Sequence, residues 1–341
     1  MKKKMFFHSA RIRAALLCAA LFCILLTAAA AGLKTFWIKS PGYVRASESV
    51  SASDARPQAE SNPYPSLSVP SCVTRIGEDY FIVDTYHDQI ICSDSLTRPL
   101  NEWQVVTDRI ARGHTIAGDG TIYLADDTEN DRILVLEKKD GAFLLTQEFT
   151  GIGTRPHYVV YDERTERFYA YSSMTGELYV FRRLADSSQA VLEEIRCLEK
   201  LNGVYVRSFT IMEDEIYFVS GNSTIIRARL SDLSILEEYP VTPEIAGMIQ
   251  LEKIQDYYYI TVSTDAAGSQ DYATILRTDD LHSLASGEYE DIYSYFVGGG
   301  TPYYMGNFDG HYYLTEHRIP GCSIWQFDVI ENEIENVTLL Y

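Results

Sequence analysis

HTIAGDGTIYLADDTENDRILVLEKKDGAFLLTQEF, residues His114 to Phe149, holds four short apolar runs separated by an Asp-Gly turn, a polar DTEND segment and a Lys-Asp-Gly turn. Runs rich in Ile, Val, Leu and aromatic residues, punctuated by tight-turn residues, read as four antiparallel strands. One such sheet cannot cover both of its faces and needs neighbours of its own kind. The same order recurs along the chain. An aspartate closes the turn between the first and second strands of each unit: Asp79, Asp119, Asp162, Asp214, Asp256 and Asp309. The spacings of 40, 43, 52, 42 and 53 residues are those of stacked blades with loop insertions. Six sets of four strands use residues 71–341 with none left over; in the fifth, the fourth strand is expected at DIYSYF, Asp291 to Phe296. The fold class expected is all-β: a six-bladed β-propeller of four-stranded antiparallel blades over residues 67–341, preceded by one N-terminal transmembrane helix.

Composition sets the outer bounds. Of 341 residues, 46% are apolar and 23% charged, which excludes wholesale disorder. There are 29 basic and 48 acidic side chains, a formal charge of −19. Residues 1–45 contain eight of the basic residues and no acid, so the remainder is more acidic still. Such a domain repels phosphate backbones, and nucleic acid is not an expected partner.

The basic segment 1–13 precedes an apolar run from Ala14 to Gly32. At helical rise this run spans about 28 Å, enough to cross a bilayer. More Lys and Arg lie before it than shortly after it, which places the N-terminus in the cytoplasm and the rest of a single-pass protein outside, with the membrane as a partner through residues 14–33. Phe36, Trp37 and Ile38 fall where an interfacial anchor would sit. The competing reading is a signal peptide cleaved in the Ala28 to Ala31 tract, which would make the protein secreted. Residues 34–66, rich in Ser, Ala and Pro, read as a flexible tether. The later cysteines, Cys72, Cys92, Cys197 and Cys322, map to different strands and imply no disulfide framework.

Two units carry a resemblance. YLADDTENDRILVLEKKDGAFL is similar to an NHL repeat, in which an Asp-Thr-Gly-Asn-like turn joins the second and third strands and is followed by Arg-Ile and an apolar strand. FIVDTYHDQIICSD is similar too, with Asp84 and Thr85 in the Asp-Thr place and Gln89 where the Arg would stand. Units three to six replace that turn with SSMTG, SGNST, STDAAGSQD and EHRIPG. The resemblance implies a six-bladed propeller of the kind that includes protein-interaction modules, sugar-lactone hydrolases and the peptidyl-hydroxyglycine amidating lyase. Fold alone does not choose among these.

Strand alternation sorts the polar residues. If the first strand of each blade lines the channel, the loop entering a blade and the loop between its second and third strands share a face. His114, His157, His87 and His317 fall on that face; His282 and His311 fall on the other. Neutral imidazoles there suit a divalent metal, with His114, His157 and His87 or His317 as ligands, or a general base. Alternatively, they tie neighbouring blades in register. No HExxH spacing is present.

Arg155, Arg207 and Arg318 fall on the same face and suit a carboxylate or other anion. The alternative for them is pairing with Asp84, Asp126, Asp127 or Glu316. Tyr86 and Tyr303 could stack on sugar rings. The expected ligand face is therefore Arg155, His157, His114, Arg207, His317 and Arg318. Two functions follow: a binding or interaction module for an anionic small molecule, glycan or partner protein, or a metal-dependent lyase or hydrolase of the NHL-like type.

Overall fold

The computed structural model describes residues 36–39, 45–48, 60–264, 271–296, 300–317, 319 and 321–341. The expected transmembrane segment lies outside them, as does Arg318. Among the described residues no helix is long and apolar enough to cross a membrane.

The turn-separated apolar runs form six antiparallel sheets, each with four strands consecutive in sequence, and two of these sheets carry a fifth strand from earlier in the chain. The first strands, Pro70–Ile76, Ile116–Gly118, Pro156–Asp162, Val206–Met212, Gly247–Ile254 and Thr301–Phe308, contact one another in ring order and surround the axis. The chain is a six-bladed β-propeller. Six apolar clusters fill the six interfaces between neighbouring blades. Between blades 3 and 4, for example, the rings of Tyr171, Phe209 and Phe218 pack at 5.0–6.2 Å between centroids. Large aromatics suit these wedges because each buries much area with few rotatable bonds. Cys72, Cys92 and Cys322 of the propeller are free thiols.

No strand is shared between the last blade and the first, and the apolar cluster at this seam is the smallest of the six. Polar ties reinforce it. Asp309 of blade 6 receives Arg75 and the Tyr80 hydroxyl, the latter at 2.7 Å. The Trp103 indole N–H donates to the Tyr341 hydroxyl at 3.1 Å, beside the carbonyls of Leu96 and Arg98. Thr315 Oγ1 donates to the Ser71 carbonyl at 3.0 Å and accepts from the Tyr304 amide at 3.0 Å.

Three expectations are corrected. The propeller begins before residue 67: Asn62 is buried, its amide donates to the Trp103 carbonyl at 2.7 Å, and the Val105 amide donates to Glu60. Two stretches of the expected tether, Phe36–Lys39 and Arg45–Glu48, are strands that pair with the outer strands of blades 3 and 2. An exposed sheet edge presents unpaired backbone groups that any extended segment can satisfy, which composition does not reveal. The outer strand of blade 5 is only Glu290–Asp291, and Tyr293–Tyr295 is a 3-10 turn. Ile292, Tyr293 and Phe296 all pack into the cluster between blades 5 and 6, a spacing that the alternation of a strand cannot serve.

Replacing Thr315 with Val keeps its shape but leaves the Ser71 carbonyl and the Tyr304 amide unpaired at the seam. The expected cost is about 1–3 kcal/mol, read as a lower denaturant midpoint at unchanged m. An unchanged midpoint would show that the seam does not depend on this tie.

Candidate functional site

In blades 1 and 2 the sequence D-T-x-x-D follows the second strand, and its three polar side chains do the same work twice. Asp84 and Asp127 accept the amides of Ser68 and Ala111 at 2.6 and 2.7 Å, fixing the loop that enters their own blade. The Thr85 and Thr128 hydroxyls reach the next blade, at the carbonyls of Gly113 and Pro156, both 2.9 Å away. Asp88 and Asp131 accept the amides of Arg112 and Arg155 at 2.9 and 2.7 Å. Both arginines have left-handed backbones, φ 55° and 57°. Such a conformation in a bulky residue is maintained by surrounding contacts and recurs at functional sites.

Two residues after each arginine stands a histidine, His114 and His157. Between Arg112 and His114, a Cβ on Gly113 would stand 2.6 Å from the Asp126 carbonyl oxygen, so the chain can pass there only as glycine. The inner strands of blades 3 and 4 are bulged after their first residue, at His157 and Arg207. A bulge re-aims one side chain out of the alternation. These residues line a recess of about 310 Å³ at the channel mouth, with Tyr303 and His317 beside them.

The imidazoles of His114 and His157 stack at 3.6 Å between centroids, 21° from parallel. Hydrogen-bond accounting assigns their protons. Thr128 has one proton and two acceptor-only neighbours, Asp126 Oδ2 and the Pro156 carbonyl, so His114 Nδ1 at 3.0 Å is the donor to Thr128. Tyr304 donates to the Arg207 carbonyl at 3.2 Å, so His157 Nδ1 at 3.1 Å donates to Tyr304. His157 Nε2 then accepts from the Tyr303 hydroxyl at 3.4 Å. Burial first, then the fields of His114, Arg207 and Arg155, hold His157 well below the usual imidazole range. Burial likewise raises Tyr303 well above the usual phenol range, so it stays protonated.

The arginines differ in what they hold. Arg155 Nη1 pairs with Glu129 at 2.6 Å. The Arg112 guanidinium lies over the Tyr86 ring at 4.1 Å, and its Nη1 is shut off from water with no hydrogen-bond partner among the described residues. Arg207 sends Nη1 to Ser263 at 2.8 Å and to the Gly247 carbonyl at 3.2 Å, and its guanidinium lies 5.2 Å from the centre of the Tyr205 ring. Among the described residues neither Arg112 nor Arg207 has a carboxylate partner, and Glu129 is the one carboxylate lining the recess.

Below the recess the channel is plugged. Gln250 of blade 5 donates to the Tyr158 hydroxyl of blade 3 at 3.2 Å and to the Met305 carbonyl of blade 6 at 3.1 Å. It also donates to Glu252, whose carboxyl burial pushes up to about 8.

Of the residues expected at the site, Arg155, His157, His114, Arg207 and His317 meet in one recess. His87 does not join them: its Nδ1 bonds Asp84 at 2.6 Å and its ring stacks on Tyr64 at 3.6 Å, anchoring the segment that enters blade 1. The metal set of His114, His157 and His87 is therefore not assembled. Among the described residues no three His, Cys, Asp or Glu side chains are grouped to hold a metal. Sequence reading missed Arg112, although it stands two residues before His114 as Arg155 stands before His157.

No family model matches this chain, and no curated protein matches it significantly. Among solved structures it is similar to a putative 6-phosphogluconolactonase from Bacteroides uniformis ATCC 8492, with TM-score 0.56 and 15% identity over 81% of this chain and 86% of that one. It is also similar to a streptogramin B lyase, with TM-score 0.55 and 14% identity over 87% and 88%. A third is Kuenenia stuttgartiensis hydrazine synthase, with TM-score 0.54 and 13% identity over 80% and 79%. At these identities the likeness is one of fold.

Because His157 is held neutral in the folded state, the unfolded chain alone takes up its proton as pH falls below about 6.5. The contribution is present above that value and is lost on acidification. Comparison with His157→Gln isolates it from other titrating groups. The margin between wild type and variant should narrow by about 1.4 kcal/mol between pH 7.5 and 5.5, measured by denaturant titration. A constant margin would show that His157 takes its proton in the folded state too.

Proposed function

We propose that this propeller is a ligand-binding module whose recess over the His114–His157 stack receives an anionic small molecule or the anionic end of a glycan. The observation that carries the reading is the Arg112 guanidinium, which lines the recess, has no carboxylate partner among the described residues and holds a buried Nη1 with no hydrogen-bond partner among them. A partly buried guanidinium left without a counter-charge is costly, and an anion in the recess would pair with it. Arg207 supports the reading from blade 4, and so does the setting in a chain of charge −19, where carboxylates are in excess yet these two guanidinium groups have none as a partner among the described residues. The volume is at the small end of the range for small-molecule sites.

The Asp-Thr turns of the first two blades support kinship with NHL-type propellers. The activities named for the structural neighbours, a lactonase and a lyase among them, diverge and do not choose a reaction. The alternative of a metal-dependent lyase or hydrolase has no supporting grouping among the described side chains.

Calorimetric titration of the purified propeller with a panel of carboxylates and inorganic phosphate is the direct test. At least one anion should bind, more weakly as salt is raised, and Arg112→Gln with Arg207→Gln should reduce binding at least about tenfold. Failure of every anion, or binding indifferent to both substitutions, would sink the reading.

We also propose that the apolar run Ala14 to Gly32 displays the domain outside the cytoplasm. The supporting features are the basic residues before the run and its length. An intact N-terminus in the membrane fraction fits an anchor, and a mature start near Gly32 fits a cleaved leader. Recovery of the intact chain in the cytoplasm would overturn export.

A further inference from the structure

The polarity of the recess narrows the ligand further, on the premise that the mouth is an anion site. Its two guanidinium groups that have no carboxylate partner among the described residues are on different blades. Arg112 is on the loop entering blade 2, backed by Tyr86 of blade 1. Arg207 is on the inner strand of blade 4, tied to Ser263 of blade 5. Blade 3 stands between them, and its own arginine, Arg155, is already neutralised by Glu129. The two arginines thus enter the same recess from blades 2 and 4, with blade 3 and its paired arginine between them, an arrangement that suits two separated negative charges.

The floor between the charges has the opposite hydrogen-bonding character. His114 Nδ1 is directed to Thr128, so in the neutral ring Nε2 is an acceptor, and it has no protein partner among the described residues. The Tyr303 hydroxyl donates to His157 Nε2, and with Tyr304 also bonded to it, its oxygen keeps one lone pair for the recess. The Thr85 hydroxyl has its one proton directed to the Ser71 oxygen or the Gly113 carbonyl. One rim hydroxyl, Thr301 Oγ1, is buried without a partner among the described residues and can serve either way. A ligand that satisfied the arginines but carried only apolar carbon in its middle would leave these acceptors dry. Buried acceptors reject analogues that lack the matching donor far more strongly than apolar pockets reject a missing methylene.

The geometry points to a polyhydroxylated dicarboxylate: a short chain with a carboxylate at each end for Arg112 and Arg207, and hydroxyl donors between them for His114 Nε2 and the Tyr303 oxygen.

Calorimetry with two length-matched sets tests this. The six-carbon set is glucarate, adipate, which lacks the hydroxyls, and gluconate, which lacks one carboxylate. The four-carbon set is tartrate, succinate and threonate. In at least one set the hydroxylated diacid should bind about tenfold or more tighter than both of its partners. His114→Phe, which keeps a ring over His157, should collapse the preference over the deoxy diacid. Arg112→Gln should bring the hydroxylated diacid down to the affinity of the monoacid. If the deoxy diacid binds as well as the hydroxylated one in both sets, the acceptor floor is wrong. If the monoacid does so, the two-ended anion is wrong. Either result overturns the proposal. Binding of inorganic phosphate alone would overturn it while leaving the anion site standing, and no binding by any anion would remove both.

Discussion

Each inner strand of this molecule pairs with a neighbour on one side only, and its other edge faces an axis on which six strands converge. Backbone groups there are buried and must find partners outside any ladder. Small hydroxyl residues supply them. Ser71 donates to the His114 carbonyl, Ser208 to Ile249, Thr261 to Tyr303 and Thr315 to Ser71, while the Val159 amide donates to Thr115. Every one of these bonds passes from one blade to the next. The ring is therefore held by apolar wedges outside and by a hydroxyl belt inside, and serine and threonine occupy positions where a larger apolar residue would leave carbonyls unpaired.

The candidate site hangs from the same belt. The Asp-Thr turns that join blades 1, 2 and 3 also hold the left-handed loops from which Arg112 and Arg155 project. Asp126, fully buried, accepts the amides of His114 and Thr115 and the hydroxyls of Thr115 and Thr128. These bonds fix the position of His114 before any ligand arrives. A recess whose donors and acceptors are set by ring-closing bonds does not reorganise on binding, which is the condition for discriminating between ligands of similar size.

The blade repeat was legible because alternating apolar runs and a recurrent turn aspartate are local signals, and both survive in all six units. The face bearing Arg155, His157, His114, Arg207 and His317 followed from strand direction alone. What did not follow depended on contacts distant in sequence. His87 shares the face but is drawn away by Asp84 and by Tyr64, a residue of the segment read as tether. Arg112 went unremarked because its left-handed backbone and its seat on Tyr86 are features of the folded loops and not of the local sequence. The outer strand of blade 5 was misplaced because a run of apolar and aromatic residues fits a strand and a packed 3-10 turn equally well until its neighbours are known.

The seam between blades 6 and 1 has a kinetic meaning as well as a structural one. The four consecutive strands of each blade can form through short loop closures, whereas the meeting of blade 6 with blade 1 joins residues 238 positions apart. Trp103 lies at that meeting point. Its carbonyl takes the Asn62 amide from the beginning of the described propeller, and its indole takes the side chain of the last residue, Tyr341. The indole is fully buried in the closed ring. Its environment thus reports on the least local contacts of the domain and not on the strand pairing of any single blade.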